Sequence, residues 1–134
     1  MKKNLLLVGG IVIISLFIIT AVISIINRGD HSLCGKFIQL VRENKADESY
    51  NLFSGNVKTD LTSSSWKETV TRLSSAYGLD SKLKFTSATQ PSGPRQTVES
   101  DYNLKTKDAA YTLACFTTTE GKEHAIDGFT GTRQ

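Results

Sequence analysis

The chain of 134 residues is poor in the residue types that most often carry chemistry: two histidines, two cysteines, one tryptophan and one methionine. An acid–base mechanism needs two titratable groups facing one cavity. His31 and His124 have no plausible aspartate neighbour on a shared face, so both read as solvated. The soft ligands are His31, Cys34, Cys115 and His124, and none are paired at ligand spacing, so no zinc site is expected. There is no glycine-rich phosphate loop and no Gly-x-Ser-x-Gly elbow. Catalytic, metal and cofactor sites are therefore not expected. Runs of like charge are also missing. Lys2, Lys3 and Arg28 against Asp30 give the first 30 residues a charge of +2, and 13 basic against 12 acidic residues leave the rest at +1. That scattered balance argues against nucleic acid, whose binders cluster positive charge on one face. Repeats and low-complexity tracts are absent, and the length excludes a multidomain enzyme, a TIM barrel or a two-half dinucleotide fold.

A long apolar run is present. Leu5 to Ile26 holds no charged residue. As a helix rising ~1.5 Å per residue it would run ~33 Å, enough for a hydrocarbon core of ~30 Å. Ser15, Thr20 and Ser24 can bond carbonyls one turn earlier. A cleaved signal peptide has a shorter apolar region followed by a small-x-small site, which this stretch lacks. For a lipoprotein lipidated at Cys34, Leu33 and His31 stand where other residues are required. A type IV pilin would need Phe or Met, and then Glu, where Ile11 and Ser15 stand. The expectation is a spanning helix at 5–26 in contact with the lipid bilayer. Lys2 and Lys3 put the tip 1–4 in the cytoplasm, and 27–30 links the span to an exported domain at 31–134. Arg28-Gly29-Asp30 is a three-residue match of the kind chance supplies often.

In that domain the spacing predicts three helices. Leu33, Cys34, Phe37, Ile38, Leu40 and Val41 make one apolar stripe over 31–44. A short helix covers 46–54, with Gly55 as its terminator. Ser65 and Glu68 form a capping box for a helix whose face is Trp66, Val70, Leu73 and Tyr77, ending at Gly78. The period then changes to two. Leu83 and Phe85 lie on a first strand, and Val98, Ser100, Tyr102 and Leu104 on a second. Residues 109–119 read as a central strand, apolar on both faces. Ile126 and Phe129 lie on a last strand that Gly128 and Gly131 weaken or bulge. Both prolines fall in the turn 90–94. Helices followed by strands mean α+β, with three helices on a curved four-stranded antiparallel sheet behind the transmembrane helix.

This order resembles the cystatin-like cone superfamily, around nuclear transport factor and the SnoaL-like proteins. The likeness spans about 31–131 and is strongest at Phe37-Ile-Gln-Leu-Val-Arg-Glu-Asn-Lys-Ala-Asp-Glu-Ser-Tyr-Asn-Leu-Phe53. It implies an assembly or scaffold domain that binds other envelope proteins or itself. The alternative it implies is a small-molecule-binding or enzymatic cone whose pocket is lined by Tyr50, Trp66, Tyr77, Tyr102 and Tyr111, although aromatics at this spacing are usually core. The residues themselves pose one more question. Cys34 lies on the first helix's stripe and Cys115 on one face of the central strand, so they bond if that face lies under the helices. If the Ala114 and Phe116 face is inward instead, they are separate buried thiols.

Overall fold

The computed structural model describes residues 32–134. The predicted span at 5–26, the tip, the linker and His31 lie outside the described residues. Among the described residues no helix is long and apolar enough to cross a membrane.

The domain is α+β, as its pattern predicts, but it has four helices where the sequence predicts three. Helix α1 is helical over residues 32–42. It ends where Asn44 adopts φ 59°, with Lys45 N–H bonded to Leu40 C=O at 2.9 Å and Asn44 N–H to Val41 C=O at 3.1 Å. Asparagine takes this left-handed position at a helix end more readily than other side chains, and the two bonds satisfy carbonyls the helix leaves open. The segment read as one helix over 46–54 is α2 (Ala46–Asn51) followed by a break at Leu52–Ser54. Gly55 does not end that helix. It begins α3 (Gly55–Asp60), capped by Ser54, whose Oγ accepts from Val57 N–H. The break arises because Leu52 and Ser54 bond the last strand instead: Ile126 N–H donates to Leu52 C=O at 2.8 Å, and Ser54 N–H to Ile126 C=O at 2.7 Å. Helix α4 (Ser63–Tyr77) starts two residues before the predicted capping box. Thr62 is its N-cap and accepts from Ser65 N–H at 3.2 Å. Ser65 is already inside the first turn, so it cannot pair with Glu68 as a box.

The sheet consists of β1 (Lys82–Ala88), β2 (Val98–Lys105), β3 (Ala110–Glu120) and β4 (Glu123–Arg133), antiparallel in the order β1-β2-β3-β4. Its register aligns the inward residues in rows: Val98, Thr117 and Ile126; Ser100, Cys115 and Phe129; Tyr102, Leu113 and Gly131; Leu104, Tyr111 and Arg133. The helices cover this face, and Cys34, Phe37, Ile38 and Val41 of α1 are fully buried against it. Cys115 is thus on the helix-facing side, and Cys34 and Cys115 are joined in a disulfide with Cα atoms 6.0 Å apart.

Gly131 is not a weakness in β4. A Cβ there would overlap the Tyr77 hydroxyl and press Leu113 Cδ2 at 3.1 Å. The missing side chain leaves the room that the α4 tyrosine occupies. Gly128 lies beside a bulge, as its sequence suggests: Phe116 pairs with Gly128 and Thr117 with Ile126, so Asp127 is the extra residue.

Two hydroxyls on the inward face, Ser100 Oγ and Thr117 Oγ1, are buried without a hydrogen-bond partner among the described residues. An unsatisfied buried hydroxyl forfeits its hydration for nothing in return. Thr117→Val keeps the shape and removes that cost. It is expected to raise stability by about 1 kcal/mol, read as a higher urea midpoint at an unchanged denaturant slope.

Candidate functional site

The five aromatic residues predicted to line a pocket separate into three places. Trp66 is 5% exposed and lies between the rings of Phe37, stacked at 5.7 Å, and Phe53, edge-on at 4.9 Å. Its indole N–H donates to Ser49 Oγ at 2.9 Å, and Ser49 Oγ–H donates to Ala46 C=O at 3.0 Å. Trp66 thereby docks α4 onto α1 and α2. Tyr50 is nearby, half-buried, with its hydroxyl donating to Leu61 C=O at 2.8 Å. Tyr102 is buried mid-sheet beside Phe85, with ring centroids 5.6 Å apart. Burial raises its phenol well above the usual range.

Tyr77 and Tyr111 meet edge-on at 5.1 Å beside a cleft that both residues line. This cleft, about 600 Å³, opens between the C-terminal end of α4, the loop 78–81 and the β2–β3 turn. Burial, with Tyr111's charge adding to it, holds the Tyr77 phenol above its ordinary value, so it is a neutral hydroxyl at physiological pH. The rim carries Lys82, Lys105, Lys107 and Arg133 against Asp80 and Asp108. None of these six side chains is ion-paired among the described residues.

The two loops forming the cleft are held from behind. Arg42 is buried at the end of α1, and its guanidinium donates to the carbonyls of Gly78 at 3.2 Å, Leu79 at 3.0 Å and Ser81 at 2.7 Å. A planar guanidinium can bridge three carbonyls where an ammonium acts as a point charge. In the β2–β3 turn, Thr106 Oγ1 accepts from the N–H groups of Asp108 at 3.2 Å and Ala109 at 2.9 Å. Arg42 sits on the polar edge of an apolar stripe. Its partners are 36 to 39 residues away, so spacing alone could not identify it.

A second polar cluster also escapes the sequence. Asp127, turned out of the ladder by the β4 bulge, accepts from Ser54 Oγ at 2.7 Å and from Arg95 Nη1 at 3.0 Å. Arg95 also meets Glu120 at 3.3 Å, while its carbonyl accepts from Thr119 N–H and Thr118 Oγ1. A serine beside an aspartate invites comparison with a nucleophile and its base. Here Ser54 is fully buried, and its oxygen is already engaged in capping α3. The cluster instead ties α3, β4 and the β1–β2 connection together. Asp127→Ala leaves Arg95 and Ser54 without their acceptor and is expected to cost about 2–3 kcal/mol, with Asp127→Asn costing less, by chemical denaturation followed through Trp66 fluorescence.

His124 is exposed at the start of β4, with Nδ1 3.4 Å from Thr119 Oγ1. Among the described residues no group of three or more metal-ligating side chains is gathered. No protein-family model matches the chain, and no curated protein matches it.

Proposed function

We propose that this chain is a binding module held outside a membrane by a single N-terminal span, with its fold drawn from the cystatin-like cone superfamily. The observation that carries this reading is the filled interior. Phe37, Phe53, Trp66 and Tyr102 occupy the space between helices and sheet, where an enzymatic cone would keep an open chamber with converging acid and base. The resemblance at Phe37–Phe53, the α+β order and the charge-free stretch at 5–26 support the same reading. The disulfide fits a compartment that permits oxidation. The partner would be another envelope protein or a second copy of the chain. The Tyr77–Tyr111 cleft favours a second reading, in which the domain takes a small ligand.

A reporter fused after Gln134 tests the topology and should be active only outside the cytoplasm. A mature chain beginning between Ala21 and Ser32 would defeat the anchor. Self-association is read by crosslinking the full-length protein in membranes, where a dimer band is expected if the module pairs with itself.

A further inference from the structure

We infer that the domain pairs with a second copy of itself through the open face of its sheet, the two sheets stacked so that β2 and β3 of one copy run antiparallel over β2 and β3 of the other.

Strand register defines the face. With Tyr102 and Cys115 turned toward the helices, the alternate residues point to the opposite side. On β2 these outward residues run Glu99, Asp101, Asn103 and Lys105. Beside them on β3 run Phe116, Ala114, Thr112 and Ala110. Asn103, Lys105 and Thr112 are exposed, and Ala114 and Phe116 are half-buried.

The first ground is charge. One end of this face is basic, with Lys82 and Lys84 of β1 beside Lys105, and the other end is acidic, with Asp101 and Glu99. Lys82 and Lys105 are direct partners across the β1–β2 ladder, and like charges there destabilise a sheet. None of these five side chains is ion-paired among the described residues. A face with one basic and one acidic end is complementary to itself turned end for end. A two-fold axis running across the strands, between the Asp101 and Asn103 rows, makes that turn. It brings Lys105 over Glu99 of the second copy and Glu99 over that copy's Lys105, an isologous contact. Lys84 comes over the second copy's Ser87, whose hydroxyl bonds Asp101 at 3.2 Å. A two-fold axis along the strands would leave the basic end over the basic end.

The second ground is shape. The same axis sets Phe116 over Ala110 of the second copy and Ala114 over its Thr112, so the one large side chain meets a small one. Gly128 leaves Phe116 its place, since a Cβ there would lie 3.3 Å from the ring. Stacked sheets of this class cross at about 30° with side chains interdigitated. The bulges at Thr86 in β1 and Asp127 in β4 bend the outer strands, which leaves β2 and β3 as the centre of the contact. Four strands ~4.8 Å apart, with outward rows ~6.8 Å apart, offer at most about 500 Å² a side. The total of about 1,000 Å² is the lower limit for a specific interface, so the dimer is weak and reversible.

This inference deepens the binding-module reading by naming its partner, and it takes nothing from the placement of the anchor. The test is zero-length carbodiimide crosslinking of the full-length protein in detergent micelles, with mass spectrometry of the dimer band. Within one chain Glu99 and Lys105 lie on the same strand about 20 Å apart, beyond the reach of a zero-length link. An amide between them therefore forms only between copies, and it is the expected product. Lys105→Glu should raise the dimer Kd at least about tenfold by sedimentation, as should Glu99→Lys, because each sets like charges face to face. The two substitutions together should restore pairing. Lys105→Glu should also leave the thermal midpoint of the monomer equal or higher, because it relieves the Lys82 repulsion, whereas a residue with only a structural role would lower it. No dimer at about 100 µM protein overturns the inference, since even a weak specific interface would fill there. So does a dimer without the Lys105–Glu99 amide, or a double variant that stays monomeric. The same reaction in native membranes separates the two readings. Links from this face to a different protein, with no self-pairing, overturn the second copy as partner and leave the binding module standing.

Discussion

Protein carrying Cys34→Ala and Cys115→Ala will be less stable by about 4–5 kcal/mol. The bond closes a loop spanning a sequence separation of 81, and restoring the freedom of so long a loop to the unfolded chain is worth ~4.5 kcal/mol in the chain-entropy description. Both sulfurs are fully buried, between α1 and the centre of β3, so the alanines also leave unfilled space. Against a total stability of about 5–15 kcal/mol for a small domain, this loss can decide whether the chain folds at all. Non-reducing mass spectrometry after alkylation of freshly extracted protein should find no free thiol. Denaturation with and without reductant should then reproduce the loss. Equal midpoints in the two conditions would show that the loop is restrained by other means.

Trp66→Ala is expected to cost about 3–5 kcal/mol, the usual cost of deleting a large buried aromatic side chain. The indole packs between Phe37 and Phe53, so its removal opens a void where α1, α4 and the Leu52–Ser54 bridge to β4 converge. It also takes the donor from Ser49, whose oxygen is completely buried. Trp66→Phe retains much of the packing and loses the hydrogen bond, so about 1–2 kcal/mol is expected. The wild-type indole should emit in the blue and resist quenchers. Red-shifted, quencher-accessible emission would contradict the burial.

Much of the scaffold was legible in residue order. The period-two stretch around Tyr102, the change of period after Gly78 and the apolar face Trp66, Val70 and Tyr77 all recur in the structure. Local chemistry misled where a distant partner outweighed it. Gly55 looked like a terminator, but Leu52 and Ser54 are drawn to Ile126, more than 70 residues away, and the chain restarts a helix there. Ser65 and Glu68 matched a capping pattern, yet Thr62 caps two residues upstream. Gly131 read as a weak point because its reason for being glycine is Tyr77, on another element.

The candidate site was legible only in fragments. Tyr77 and Tyr111 stand out in the sequence as aromatic residues, but nothing in their spacing joins them to each other or parts them from Tyr50, Trp66 and Tyr102. The lysines of the cleft looked like scattered solvated charges. Strand pairing sets Lys82 opposite Lys105, and strand ends and turns bring Lys107 and Arg133 to the same opening.

By itself the sequence determined the α+β class, the strand alternation and the number of strands, because periodicity and turn chemistry act over a few neighbouring residues. It also placed Cys34 and Cys115 on faces that could meet. Which face of β3 lies under the helices was decided by the tertiary structure, since a strand apolar on both sides carries no local signal of direction. The same folding decided that Asp127 leaves the ladder to hold Ser54 and Arg95, and that Arg42 buries its charge among carbonyls 36 to 39 residues on. Those bonds join segments far apart in the chain, and a buried polar group takes whichever partner the packed fold brings within reach.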